Sequence, residues 1–221
     1  GEEWSRLNMA VSLNRKQDFN KNIIIEGFNE ASSLSTIFLQ NSEGLTVDEL
    51  DPFSNYLAWF TYLTDTISDW KGPGPNTSYY SNINTIGQNQ TLKITEDGYI
   101  NELDISVSSS YKDFIFIGAS MGLTDIQFTQ RTNYKEDEFI SDSEVSSIEN
   151  FTYNQHLDVS GDGVNFKIGT FIKPVPFLRL GWAYHSRTYT DLEETYEASM
   201  ETNFSTGESY EAISPMGMFS Y

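Results

Sequence analysis

Over most of this chain the apolar residues recur at every second position, which is the spacing of a strand with one buried or lipid-facing side. Leu7, Met9, Val11 and Leu13 alternate with Asn8, Ala10, Ser12 and Asn14. Leu103, Ile105 and Val107 alternate with Asp104, Ser106 and Ser108, and Ile115, Ile117, Ala119, Met121 and Leu123 face away from Gly118, Ser120 and Gly122. A further run sets Leu178, Leu180, Trp182 and Tyr184 against Arg179, Gly181, Ala183 and His185; a sixth, from about 210 to 221, has no clean alternation. The fourth stretch changes phase. Its apolar residues are odd-numbered in Phe151, Tyr153, Leu157 and Val159 but even-numbered in Val164, Phe166, Ile168 and Ile172. The change falls at Gly161-Asp162-Gly163, where either a β-bulge or a hairpin turn would produce it.

Composition removes several function classes. Acidic residues outnumber basic ones 32 to 13, so a partner that must be held by phosphate neutralisation, DNA or RNA, is excluded. There is no cysteine, hence no disulfide framework or thiolate metal site. His156 and His185 are the only histidines and stand outside metal-ligand spacing, and no nucleophile elbow or phosphate loop occurs. No cofactor, metal or enzymatic activity is expected. No run of about 18 apolar residues exists, which excludes a membrane helix but not a membrane β-barrel, whose strands alternate. The start, Gly1-Glu2-Glu3-Trp4, does not read as a signal peptide, so a mature chain or a segment of a longer one is expected.

Connection lengths add to this. Lys112-Asp113 and Pro174-Val175-Pro176 are short, whereas about 16–98, 134–150 and 191–208 are long. With the bulge reading, long and short connections alternate strictly, as in barrels with short turns at one end and long loops at the other. The longest loop carries helical signals. Thr46-Val47-Asp48-Glu49 fits a capping box, and Asp51-Pro52 a cap with proline in the first turn. Phe53, Tyr56, Leu57, Phe60, Leu63 and Thr64 then keep helical spacing, with Trp59 and Tyr62 beside them, and Ser33 to Gln40 is a shorter candidate. The expectation is an all-β antiparallel transmembrane barrel with short helices over its mouth. Six strands are too few to close one, so the chain would be part of a larger wall.

Asn165-Phe166-Lys167-Ile168-Gly169, Lys173-Pro174, Leu178-Arg179-Leu180-Gly181, Ala183-Tyr184-His185 and Leu192 through Tyr196 to Met200, in this order, resemble outer-membrane transport proteins of the FadL/TodX type in their Bacteroidetes form. Leu13-Asn14-Arg15, Ile25-Glu26-Gly27-Phe28-Asn29, Ser32-Ser33-Leu34 and Tyr111 through Gly118 to Gly122 extend the likeness over most of the chain. The resemblance implies a Gram-negative outer-membrane barrel of fourteen strands, plugged by an N-terminal hatch, that passes long-chain fatty acids or similar hydrophobic compounds. It implies capture at a greasy extracellular groove and sideways release where a strand kinks. This sequence departs from the family by lacking the hatch with its Asn-Pro-Ala segment and the outermost strands, and so corresponds to the middle of the barrel.

Candidate ligand contacts follow from chemistry and parity. Phe53, Tyr56, Leu57, Trp59, Phe60 and Leu63 would make an apolar capture surface, or simply pack the loop on the rim. Lys167, Arg179, His185 and Arg187 take the inner parity, where an arginine fork suits a carboxylate head group and an ion-pair network with Asp158 is the plainer use. Phe114, Phe116, Ile126 and Phe128 share that parity and would give greasy patches along a path. Gly161, Asp162 and Gly163 would mark a strand kink serving as exit or merely shaping the barrel. Acidic groups at Glu136-Asp137-Glu138, Asp142 to Glu149 and Asp191 to Glu201 read as solvated outer loops, since calcium-loop spacing is missing. Partners would be a hydrophobic small molecule, the surrounding membrane lipid and other outer-membrane proteins. Two further readings are a barrel that docks a secretion or surface complex, and a secreted soluble β-protein that binds glycans.

Overall fold

The computed structural model describes residues 4–67, 77–83, 87–139 and 148–221. Strands β1 (Trp4–Asp18) and β2 (Lys21–Asn29) form one broken pass along β5 (Gln88–Tyr111), which pairs with β6 (Ile115–Asp137), and β6 with β7 (Ile148–Val175). A second broken pass, β8 (Leu178–His185) and β9 (Tyr189–Phe204), lies on β7, and β10 (Ser209–Ile213) and β11 (Gly217–Ser220) follow β9. Every one of these pairings is antiparallel. The expected all-β antiparallel architecture is therefore present. Between β2 and β5 stand α1 (Leu34–Ser42), α2 (Asn55–Phe60) and a small hairpin of β3 (Thr64–Thr66) and β4 (Tyr79–Ser81). No described helix is long and apolar enough to cross a membrane.

Local sequence explains the joints. Lys112 and Asp113 both hold positive φ, 49° and 50°, the two-residue turn whose twist matches a hairpin. Thr46 and Glu49 make the expected capping box, and Ser33 caps α1 by accepting from the Ser35 amide. The long loops are shorter than expected. Strand pairing runs to Asn29 and resumes at Gln88, so the helical insertion covers 30–87 rather than 16–98. Most of 191–208 is strand β9, closed by a tight turn at Gly207 with φ 88°. The expected helix from Pro52 to Thr64 is reduced to Asn55–Phe60, because Tyr62 turns into the left-handed region at φ 58° and the chain enters β3.

Gly161-Asp162-Gly163 is neither bulge nor turn. Register is continuous there on both sides, from Gln127↔Ser160 to Thr124↔Gly163 and from Ser160↔Glu193 to Gly163↔Thr190. A Cβ on Gly161 would stand 2.1 Å from the Asp191 carbonyl oxygen, so the glycine serves close approach of β9. A register shift does occur in β1, between Arg15 and Gln17.

Without a bulge at 161–163, β5, β6 and β7 between Asn150 and Ile172 keep one parity per face, and partners across the ladders share a face. One face carries the helices; the other is bare of any described helix or loop, and is called the bare face. On the bare face a row of partners reads Leu13, Leu103, Leu123, Val164, Tyr189, and the next row outward reads Arg15, Asn101, Asp125, Asp162, Asp191. Below that line the bare face is apolar; above it, polar. The helix-bearing face does the reverse. Below are Ser106, Ser108, Gly118, Ser120, Asn165 and Lys167, and above are Tyr134, Phe151, Tyr153, Ala198 and Met200. The phase change in β7 is thus a change of apolar face at one level across five neighbouring passes.

Candidate functional site

The helices sit on the upper part of their face. Phe38, Leu57, Ala58 and Leu63 join Ile148, Phe151, Tyr153, Ala198, Met200 and Ala212 in one hydrophobic cluster. Phe38 packs edge-on against Tyr153 at 5.5 Å, and Phe53 lies 5.3 Å from Tyr196, its ring over Gly217, where a Cβ would meet it at 3.1 Å. Polar contacts fix the register. The Tyr153 hydroxyl donates to the Phe53 carbonyl at 2.7 Å, and the Thr202 hydroxyl donates to the Thr61 hydroxyl oxygen at 3.2 Å. Burial, with Tyr196 beside it, pushes the Tyr153 phenol well above its ordinary range, so it stays a donor.

Glu136 is the anchor that sequence reasoning placed in a solvated loop. Its carboxylate is fully buried at the foot of α1. It accepts from the Ser33 hydroxyl at 2.6 Å, the Leu34 amide at 2.8 Å, the Gln90 side chain at 3.0 Å and the Tyr134 hydroxyl at 2.5 Å. A carboxylate on free helix-terminal amides is favourable, and here it ties β6 to the first turn of α1. Burial and the neighbouring Glu136 raise the Tyr134 phenol, which holds its proton for that bond. Local sequence gives no sign of this, since Glu136 lies beside Asp137 and Glu138. The one available signal is parity with Phe128, Gln130 and Tyr134.

The expected capture residues divide. Leu57 and Leu63 are fully buried against the wall and offer nothing to a ligand while the helices are docked. Tyr56, Trp59 and half-exposed Phe60 form a separate aromatic group, with ring centroids at 5.8 and 6.1 Å from Tyr56. Phe53 is between the two sets, packed on Tyr196.

Of the path residues, Phe128 meets Phe19 edge-on at 5.1 Å beside Gly98, and both Phe128 and Phe116 take the helix-bearing face. Phe116 stacks on Phe171 at 4.3 Å and 6°, with the Lys173 ammonium 4.4 Å from its ring. This stack borders a hollow of about 650 Å³ near the short turns, floored by Ser108, Gly118, Gly169 and Gly181. His185 and Lys167 are cross-strand partners on the same face, and Arg179 shares their parity near the β7–β8 turn.

Two expectations are corrected. Arg187 lies in the break between β8 and β9 and covers the Tyr189 ring at 4.8 Å, on the bare side, because the break cancels the parity count. Asp158 is also on the bare face, bonded by Thr129 and His156, since no bulge moves it inward. The acids that hold Lys167 are Glu102 at 2.6 Å and Asp104 at 2.7 Å. The extra residue at the β1 shift between Arg15 and Gln17, Lys16, reaches Glu102 at 2.9 Å, and Asn165 donates to the same carboxylate at 2.7 Å. Residues 142–147 of the second acidic group lie outside the described residues; among those described, no three metal-binding side chains converge.

Comparison with protein-family models, with curated proteins and with solved structures gives no match to this chain.

Proposed function

We propose that this chain is part of the wall of a FadL-like outer-membrane β-barrel that binds and passes hydrophobic small molecules, long-chain fatty acids or similar, without chemistry. The observation that carries this reading is the exchange of apolar face at one level. A soluble sandwich buries the same face along the whole strand. A wall that stands in lipid and continues into water must be apolar outside only within the lipid, and polar outside above it. The apolar stretches 103–111, 115–123 and 164–172 match the roughly nine to eleven residues that a tilted strand needs to cross. Trp182 at 60% and Leu180 at 52% exposure stand largely open among the described residues, which suits lipid contact and argues against a soluble glycan binder. Tyr189 at the upper edge, with Trp4 and Tyr111 at the lower, fits interfacial girdles.

On this reading the Tyr56, Trp59 and Phe60 group is the first apolar contact, and the Phe116 and Phe171 hollow lies at the far end of the path. Produced in a Gram-negative host within the complete barrel it belongs to, the chain should stay with the outer membrane after alkaline carbonate washing and support uptake of a fluorescent long-chain fatty acid. Phe60→Asp should abolish uptake while membrane retention is unchanged. A chain released by carbonate sinks the membrane reading; undiminished uptake in Phe60→Asp sinks the capture assignment alone.

A further inference from the structure

Most cations of this acidic chain have partners. Among the described residues Arg15, Lys16, Lys21, Lys135 and Lys167 reach carboxylates, and Lys173 and Arg187 lie over rings. Lys93 and Arg179 do neither, and Arg131 has no carboxylate in direct contact, its charge acting on Asp158 only at longer range. Arg179 is isolated near a turn, but Lys93 and Arg131 are diagonal neighbours on the bare face, since Lys93 pairs with Asn133 and Arg131 with Thr95. Such a diagonal spans about 7–8 Å, and like charges so placed repel. With 32 acidic residues available, two cations left side by side mark a place suited to an anion from outside.

The two cations overhang a groove of about 370 Å³ that crosses β5, β6, β7 and β9. Its floor is a ladder of amides and hydroxyls: Asn133 donates to Asn154 at 2.6 Å, and Asn154 to Ser199 at 3.4 Å. His156 and Glu197, cross-strand partners, close one side, with His156 turned to Asp158 at 2.5 Å. We propose that this groove binds an acidic saccharide. A phosphate or carboxylate on the sugar sits between Lys93 and Arg131, while ring hydroxyls donate to Glu197 and exchange bonds with Asn133, Asn154 and Ser199. A bare anion would leave most of the volume empty and face Glu197 unscreened. A polyacidic peptide would bring further charge against Glu197 and Asp158, whereas a sugar carries one charge among many hydroxyls.

The source of the saccharide rests on the membrane reading. Lys93 lies ten residues beyond Leu103, roughly 30 Å along the strand above the apolar belt. That places the groove in the sugar layer of surface glycolipids rather than among their acyl chains. The probe is the phosphorylated core oligosaccharide of a rough lipopolysaccharide, freed of lipid, with its dephosphorylated form, intact lipopolysaccharide, inorganic phosphate and polyglutamate as comparators. Equilibrium binding to the detergent-solubilised full chain should favour the phosphorylated oligosaccharide over the dephosphorylated one and over inorganic phosphate by about tenfold or more. The exposed double variant K93Q/R131Q should lose at least about tenfold with unchanged circular dichroism, and Ser199→Ala a few-fold. Equal binding of the dephosphorylated sugar, of polyglutamate or by the double variant overturns the proposal. So does binding of intact lipopolysaccharide without binding of its core, which would place recognition on the acyl chains. Release by carbonate with intact oligosaccharide binding would fail the membrane reading and leave the groove standing.

Discussion

The lower and upper halves of β5, β6 and β7 belong to the same strands yet solve opposite problems. Below the row Leu13, Leu103, Leu123, Val164, Tyr189 the bare face is apolar and the helix-bearing face is built of serine, glycine and paired charge. Above it the bare face is polar, and the helix-bearing face supplies Phe151, Tyr153 and Met200 to a hydrophobic cluster. The difference teaches that the lower half gains nothing from its own apolar face without an external apolar medium, whereas the upper half buries its apolar face against the helices of the chain itself.

The comparison breaks most sharply at Phe151, a fully buried ring in the upper cluster. Phe151→Ala should cost about 3–5 kcal/mol. Hydrogen exchange at α1 and α2 should rise while the lower ladder between β5 and β6 stays protected. Uniform loss of protection in both halves would show that they are one cooperative unit. Next is Ile168→Arg, in the middle of the lower apolar face. If that face meets lipid, the substitution should destabilise the vesicle-inserted protein by about 2–4 kcal/mol. In water an exposed Ile168 side chain would be replaced within about 0.5 kcal/mol, so equal stability in vesicles and in buffer counts against a lipid-facing belt.

Glu136 tests the upper half from its polar side. Glu136→Ala leaves the Ser33 hydroxyl, the Leu34 amide, the Gln90 amide and the Tyr134 hydroxyl without their shared acceptor, at a cost of about 1–3 kcal/mol. Protease cleavage within residues 30–50 should accelerate, and Glu136→Gln, which keeps one acceptor oxygen, should fall between. Unaltered cleavage would mean that hydrophobic packing alone holds α1.

Much of this arrangement was legible in the sequence, and its misreadings have one physical origin. Strand spacing and the Thr46–Glu49 capping box come from local chemistry and appear where expected. The phase change at 161–163 is ambiguous within a single strand, because one inserted residue and one change of surroundings both swap the apolar parity. Only neighbouring strands separate the two. Leu13 to Arg15, Leu103 to Asn101 and Leu123 to Asp125 change together without any insertion at 161–163. The mistaken inward placement of Asp158 follows from that single ambiguity. Arg187 fails differently, since a break in a strand ends parity counting. Glu136 was illegible because the two partners that tie it to α1, Ser33 and Leu34, lie 103 and 102 residues earlier, and only the completed fold brings Ser33 beneath β6.

The smallest expected effect is electrostatic and belongs to the upper bare face. Burial alone would raise the Asp158 carboxyl, but the Thr129 hydroxyl at 2.6 Å and the charges of His156 and Arg131 outweigh it and hold the group below its ordinary value of 3.8. A depressed folded value means that Asp158 contributes stability above the unfolded value, and that this is lost as pH falls below 3.8 through the folded one. With its side chain 45% exposed, solvent screening keeps the contribution small. Asp158→Asn should therefore flatten the acid limb of the stability curve slightly and leave stability near neutral pH lower by a small amount. The same substitution removes the carboxylate on which His156 rests, so saccharide binding in the adjoining groove should shift while uptake through the wall does not. A change in uptake would instead couple the outer surface to the path and erase the division between the two faces.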